Sequence, residues 1–269
     1  MNGRCIMVDA SDAVNKARFE LGQRAELPGM SLMQHLEELR KRLVYSAIFL
    51  VIGFGVAYAF HEQLYGFVQA PLDQLHIKLN FTHPMDPLNL YLQVALIGGA
   101  ILASPLILFQ VWMFIAPGLY QKERRYVVPF MAASVGLFLS GAWFGYHWVF
   151  PGALKILILG FGNRFNPVVT IEEYTGFFLS IVLGLGATFE VPVIIFFLAM
   201  FGIVSPRFLW KNIRYAILLI FIVAAIITPT PDPWTMCLFA TPMLVLYIVG
   251  IGVAWWVHPG RRKAKENAG

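Results

Sequence analysis

From Pro87 to Gln121 not one residue carries a charge, and that stretch decides the class of the chain. A bilayer-spanning helix needs about 20 mostly apolar residues, whereas a surface helix of a soluble protein keeps a polar stripe. Inside lipid every backbone N–H and C=O must be satisfied within the segment, so such a span is helical. Composition agrees: 58% of the 269 residues are hydrophobic and 13% are charged, about half the ~25% usual in soluble domains. These figures exclude an ordinary soluble globule, a disordered chain and a collagen-like repeat. The two cysteines, Cys5 and Cys237, make no metal or redox spacing.

Six segments read as spans: Val44 to Phe60, about Leu88 to Ala116, Tyr126 to Phe150, Tyr174 to Phe201, about Arg214 to Thr228, and about Trp234 to Val257. Basic residues cluster in alternate connections. Arg40, Lys41 and Arg42 precede the first span, and Lys122, Arg124 and Arg125 follow the second. Arg207, Lys211 and Arg214 follow the fourth, and Arg261, Arg262, Lys263 and Lys265 follow the sixth. The intervening loops hold only Lys78, Lys155 and Arg164. The positive-inside rule then places both termini in the cytoplasm. The expected organisation is a polar tail over 1–29, a six-helix membrane domain over 30–258 and a basic cytoplasmic tail over 259–269.

The loops carry expectations too. Glu62 to Leu79 mixes apolar and polar positions and is interrupted by Pro71, which predicts short amphipathic helices on the outer surface. Gly152 to Glu173 predicts the same more weakly. Pro229 to Pro233 reads as a tight turn that makes the fifth and sixth spans antiparallel neighbours. The fifth span, about 15 residues at ~1.5 Å each, falls short of a ~30 Å hydrocarbon core. It is expected to thin the bilayer or to need neighbouring protein.

Glu190 is the most informative single residue. It lies in Phe189-Glu190-Val191-Pro192 between apolar runs. An acid at mid-span costs about 2.5–3.5 kcal/mol on insertion scales. Pro192 removes one helix hydrogen bond and frees the carbonyl of Thr188, which predicts a kink with a polar patch beside it. A structural acid satisfied by its neighbours and a site facing a cavity or a partner helix both fit. Two further acids, Glu38 and Glu123, sit among basic residues in His35-Leu-Glu-Glu-Leu-Arg-Lys-Arg42 and Leu119-Tyr-Gln-Lys-Glu-Arg-Arg125. Ordinary charge pairing at helix ends explains them. Reception of arginines from a partner explains them as well, because guanidinium–carboxylate pairs are planar and bidentate.

Enzyme motifs are absent. No phosphate-binding Gly-x-x-x-x-Gly-Lys-Ser/Thr occurs, and His61-Glu62 has no second histidine at zinc-protease spacing. The six histidines are scattered, so no metal site is expected. Gly141 and Gly145 form a GxxxG pair, for which helix packing is the default.

In combination these segments resemble the TatC family of the twin-arginine protein translocase. The likeness covers about Ser31 to Val257. It rests on His35 to Arg42, Ala70-Pro71-Leu72, Ala103-Ser104-Pro105, Gln110 to Leu119, Glu123-Arg124-Arg125, Phe189 to Val193, and Thr228-Pro229 with Asp232. The resemblance implies an all-α, polytopic fold, six transmembrane helices in a concave, glove-like bundle with both termini inside a bacterial-type cytoplasmic membrane. It implies a non-enzymatic receptor and core subunit, driven by the proton-motive force and without cofactor, metal or nucleic acid. The acids matching Glu38 and Glu123 contact the arginines of twin-arginine signal peptides on folded cargo. The acid matching Glu190 faces single-span TatA- and TatB-type partners, and self-association is expected. Arg40, Phe114, Pro71, Thr228 and Asp232 match positions tied to activity or partner docking. The final turn departs from the family pattern: it reads Thr-Pro-Thr-Pro-Asp, with Thr235 and Met236 where Ser and Gln are common. The rival readings are a proton-coupled secondary transporter using Glu190, which the missing paired repeat disfavours, and a membrane enzyme, which the missing catalytic pairings disfavour.

Overall fold

The computed structural model describes residues 32–115, 127–162, 164–165, 167–228 and 232–257. The chain divides into two compact units, 1–44 and 45–269. The proposed tails, and Glu123 with its neighbours, lie outside the described residues. Helix α1 (Leu32–Ala59) starts in the first unit and continues into the second.

In the second unit, α2 (His61–Asp73) and the short strand β1 (Leu79–Asn80) precede α3 (Asp86–Ile115). Helix α4 (Val127–Phe144) runs on through a π turn (Gly145–Val149), α5 (Phe150–Leu154) and a second π segment (Lys155–Phe161). Strand β2 (Val169–Thr170) leads into α6 (Ile171–Thr188), then come α7 (Val191–Met200), α8 (Pro206–Lys211), α9 (Ile213–Ile227) and α10 (Pro233–Val257). Five helical segments are long and apolar enough to cross a membrane: Met33–Ala59, Asp86–Phe114, Pro129–Phe161, Ile171–Met200 and Pro233–Trp256. Ile213–Ile227 is apolar but shorter. The protein is thus a helical, multi-pass membrane protein, as the sequence predicts.

Two prolines lie inside continuing helices, and one of them, Pro71, was expected to interrupt its segment. Pro71 lies inside α2, which continues to Asp73. Proline has no N–H, so the carbonyl of Phe67 loses its in-helix donor. The hydroxyl of Tyr146 donates to that carbonyl at 2.9 Å, and the hydroxyl of buried Tyr174 donates to the carbonyl of Val68 at 2.6 Å. These two tyrosines fasten α2 to the bundle. The third span was expected to end at Phe150, before an outer segment from Gly152 to Glu173 with weak amphipathic helices. Instead the backbone widens before Pro151, and the Phe150 N–H reaches the Gly145 carbonyl five residues back. The helix then continues to Phe161, and Gly162 closes it with another five-residue bond to Leu157.

The strands are a two-residue parallel pair, with Leu79 opposite Val169 and Asn80 opposite Thr170. An all-helix reading has no place for them; they join the two loops that lead into α3 and α6.

The packing runs on small residues. A Cβ on Gly141 would lie 2.8 Å from the Leu185 carbonyl oxygen, and one on Gly145 would lie 3.3 Å from that of Ile181. The GxxxG pair therefore presses α4 against α6, as the default reading holds. Gly53 of α1 and Gly99 of α3 approach as closely. Phe150, Tyr174, Phe239, Leu72, Ile181 and Leu185 fill the interior.

Helix α9 has 15 residues, about 22 Å at ~1.5 Å per residue. Ala224 is its one buried residue, so the chain's own helices do not shield the shortfall from lipid. The bilayer beside α9 is expected to be several ångströms thinner than its surroundings. Lipid-resolved electron microscopy in nanodiscs checks this, and normal thickness there refutes it.

Candidate functional site

In the first unit, Glu38 and Arg42 lie one turn apart on α1. The Arg42 Nη2 donates to Glu38 Oε1 at 3.3 Å. The Glu38 side chain is only 16% exposed. Its second oxygen, Oε2, is out of solvent and accepts no hydrogen bond among the described residues. A carboxylate that is buried and half satisfied is costly, and a planar guanidinium is the group best shaped to complete it. Arg40 is exposed; two residues at ~100° each put it on the far side of the helix from Glu38.

In the second unit, the fourth span breaks where Glu190 and Pro192 predict. Helix α6 ends at Thr188 and α7 starts at Val191. The Glu190 N–H turns back only three residues, to Ala187, and the Glu190 carbonyl accepts from both Val193 and Ile194. The half-buried Glu190 side chain accepts from the hydroxyl of Ser134 at 2.5 Å through Oε2. Its Oε1 is shielded from solvent and has no partner among the described residues.

Ser134 is fully buried on α4, and helix register brings it to Glu190. Helices α4 and α6 run antiparallel: Gly145 meets Ile181, Gly141 meets Leu185 and Phe189, and Phe138 meets Gly186. The next residue of α4 on that face is Ser134, and the next of the fourth span is Glu190. Replacing Ser134 with Ala is expected to strip the carboxyl of its donor, at about 1–3 kcal/mol. Infrared difference spectroscopy, with the Glu190→Gln variant identifying the band, should show the carboxyl absorption shift in Ser134→Ala and return in Ser134→Thr. An unmoved band would deny that this bond orients Glu190.

The remaining candidates scatter. Phe114 lies half-buried in the last turn of α3. Thr228 is buried and spends its hydroxyl on the Ala224 carbonyl at 2.8 Å. Its neighbour Ile227 packs at Gly184, six residues before Glu190, or about 9 Å along the helix. Asp232 starts α10: its Oδ2 accepts the Thr235 N–H at 2.7 Å, an Asp cap followed by proline at the first helical position.

Sequence reasoning missed the role of Ser134, and it gave no sign that the polar groups of Trp112 and Thr235 are buried. Ser134 had no signal beyond being a lone hydroxyl in an apolar run. Trp112 packs against Phe197 with the rings tilted and their centroids 4.4 Å apart, and its indole N–H is buried without an acceptor among the described residues. The buried Thr235 hydroxyl likewise has no partner there. The convergence of His83, Asp86 and Glu172 was also unforeseen.

Residues 34–242 match the family pattern described as Sec-independent protein translocase protein (TatC). A TatC protein of Koribacter versatilis is 52% identical over 257 residues, covering 93% of this chain and 94% of its own length. TatCy of Bacillus subtilis is 36% identical over 246 residues, covering 91% and 95%. A crystal structure described as the twin-arginine translocase receptor TatC superposes with a TM-score of 0.76 at 36% identity, covering 83% of this chain and 99% of that one. The rival of a small-solute transporter finds no support in these likenesses.

Proposed function

This chain belongs to the TatC family of Sec-independent protein translocase proteins, and on that premise we propose that it is the receptor and core subunit of a twin-arginine translocase. It is a receptor component, not an enzyme. Its task is to recognise the twin-arginine signal of a folded protein and to seat it within an assembly that the proton-motive force drives.

Glu38 and Glu123 receive the two signal arginines, and Arg40 and Phe114 contribute to signal binding as the family resemblance implies. The observation that carries this reading is the sheltered Glu38 carboxylate, one oxygen of which has no donor among the described residues. A lysine ammonium is a point charge without the paired N–H fork, so arginine is favoured by geometry as well as by charge. In this reading the chain has six spans, the basic connections face the cytoplasm together with both termini, 1–29 and 259–269 are tails, and the acids lie at the inner surface of a bacterial-type membrane. Glu190, Thr228 and Asp232 serve single-span TatA- and TatB-type partners and self-association. Ser134 supports this by leaving one Glu190 oxygen for an incoming donor.

Photocrosslinkers placed at 38, 123 and 190 test the reading. Positions 38 and 123 should capture a twin-arginine signal peptide, and not its twin-lysine counterpart. Position 190 should capture partner helices. Capture of the signal at 190 alone, or equal capture of both peptides, would overturn it.

A further inference from the structure

Away from these sites, three potential metal ligands converge where α3 and α6 begin. His83, Asp86 and Glu172 each offer one ligand atom, and these atoms all lie within 4.8 Å of one another. The parallel pairing of Asn80 with Thr170 sets this up, because it holds the segment that leads to His83 beside the segment that leads to Glu172.

Asp86 is the anchor. It is 5% exposed, and its Oδ2 accepts the N–H groups of Thr82 and His83, both at 2.8 Å, and the Thr82 hydroxyl at 3.2 Å. That fixes the carboxylate and leaves Oδ1, which stands 3.8 Å from His83 Nδ1. Acids in the first turn of a helix are favoured by its dipole, and this explains Asp86 and Glu172 one at a time. It does not explain why an imidazole converges on both.

Nor does it explain Gln93. Two turns along α3 from Asp86, on the same face, its Oε1 is out of solvent without a hydrogen bond among the described residues. It lines the same cavity of about 220 Å³ as His83, Asp86 and Glu172. The cavity thus holds one imidazole nitrogen, two carboxylates and an orphaned amide oxygen.

The geometry points to a site for a divalent transition cation of the zinc class, held by His83, Asp86 and Glu172, with Gln93 or water completing the shell. A mixed nitrogen and oxygen set suits zinc and its neighbours, whereas calcium and magnesium prefer oxygen alone. Tetrahedral ligands at ~2.0–2.1 Å stand about 3.3 Å apart. His83 and Glu172 must therefore swing inward; both are exposed and free of the backbone constraint that holds Asp86. Bound metal clamps the loop before α3 to the start of α6 and stabilises the folded chain without taking part in signal recognition.

The test uses the full chain, purified in detergent through a tag without histidine, stripped with chelator and titrated with zinc chloride calorimetrically. One ion per chain is expected, together with a rise in thermal unfolding temperature. His83→Ala and Glu172→Gln should each weaken binding at least about tenfold and abolish the thermal shift. His76→Asn, at an exposed histidine outside the cluster whose φ of 58° asparagine tolerates, should change neither. Absence of one-to-one binding, or binding that survives both cluster variants, or equal loss in His76→Asn, would overturn the site.

Discussion

Cells carrying Glu38→Ala together with Glu123→Ala are expected to export no folded cargo bearing a twin-arginine signal, while the chain stays in the membrane at its normal level. Each charge-assisted pair is worth about 1.5–3 kcal/mol. Losing both removes roughly 3–6 kcal/mol, or about two to four orders of magnitude in signal affinity. Glu38 makes its one described ion pair with Arg42 within the same helix, a contact that contributes only tenths of a kcal/mol to stability. The fold should therefore survive its loss. Fractionation of a folded reporter between compartments, with immunoblotting of the membrane, reads both quantities. Normal export by the double variant would end the docking proposal, and loss of the chain from the membrane would show the acids to be structural.

The second large effect is expected at Gly99. A Cβ there would lie 2.6 Å from the Phe54 nitrogen, 2.7 Å from Phe54 Cα and 2.8 Å from the Gly53 carbonyl carbon. All three are backbone atoms, so no rotamer change relieves the clash and α1 must move off α3. Without a hydrophobic force between helices in lipid, close backbone contact is what holds such pairs. Gly99→Leu should cost more than the 1–3 kcal/mol typical of overpacking and lower both membrane level and thermal stability in detergent. Gly136 has nothing within 4 Å of its would-be Cβ, so Gly136→Ala should hold or gain stability, up to about 1 kcal/mol from helix propensity. Equal behaviour of the two variants would remove the glycine contact as the reason α1 and α3 meet.

The spans were legible because lipid leaves the backbone one choice, and a long uncharged run announces it. Glu190 was legible for the same reason: it is the one acid inside a long apolar stretch. Pro71 misled, and the third span outran its expected end at Phe150. Pro71 and Pro151 do remove donors, as local chemistry demands, but the consequence depended on groups far away in sequence. The Tyr146 hydroxyl replaces the donor lost at Phe67, and a five-residue turn absorbs Pro151. Neither a hydroxyl 79 residues distant nor a widened turn leaves a periodic trace in the chain.

The amino-acid order alone determined the class of protein, the existence of its helices and the break at Glu190. These follow from desolvation costs that act residue by residue. Tertiary structure alone decided that Ser134 meets Glu190, that Gly53 meets Gly99, and that His83, Asp86, Gln93 and Glu172 share one cavity. Those meetings depend on helix register, and register is set by which small residues let two backbones approach. That is a property of pairs of surfaces, and no single segment carries it.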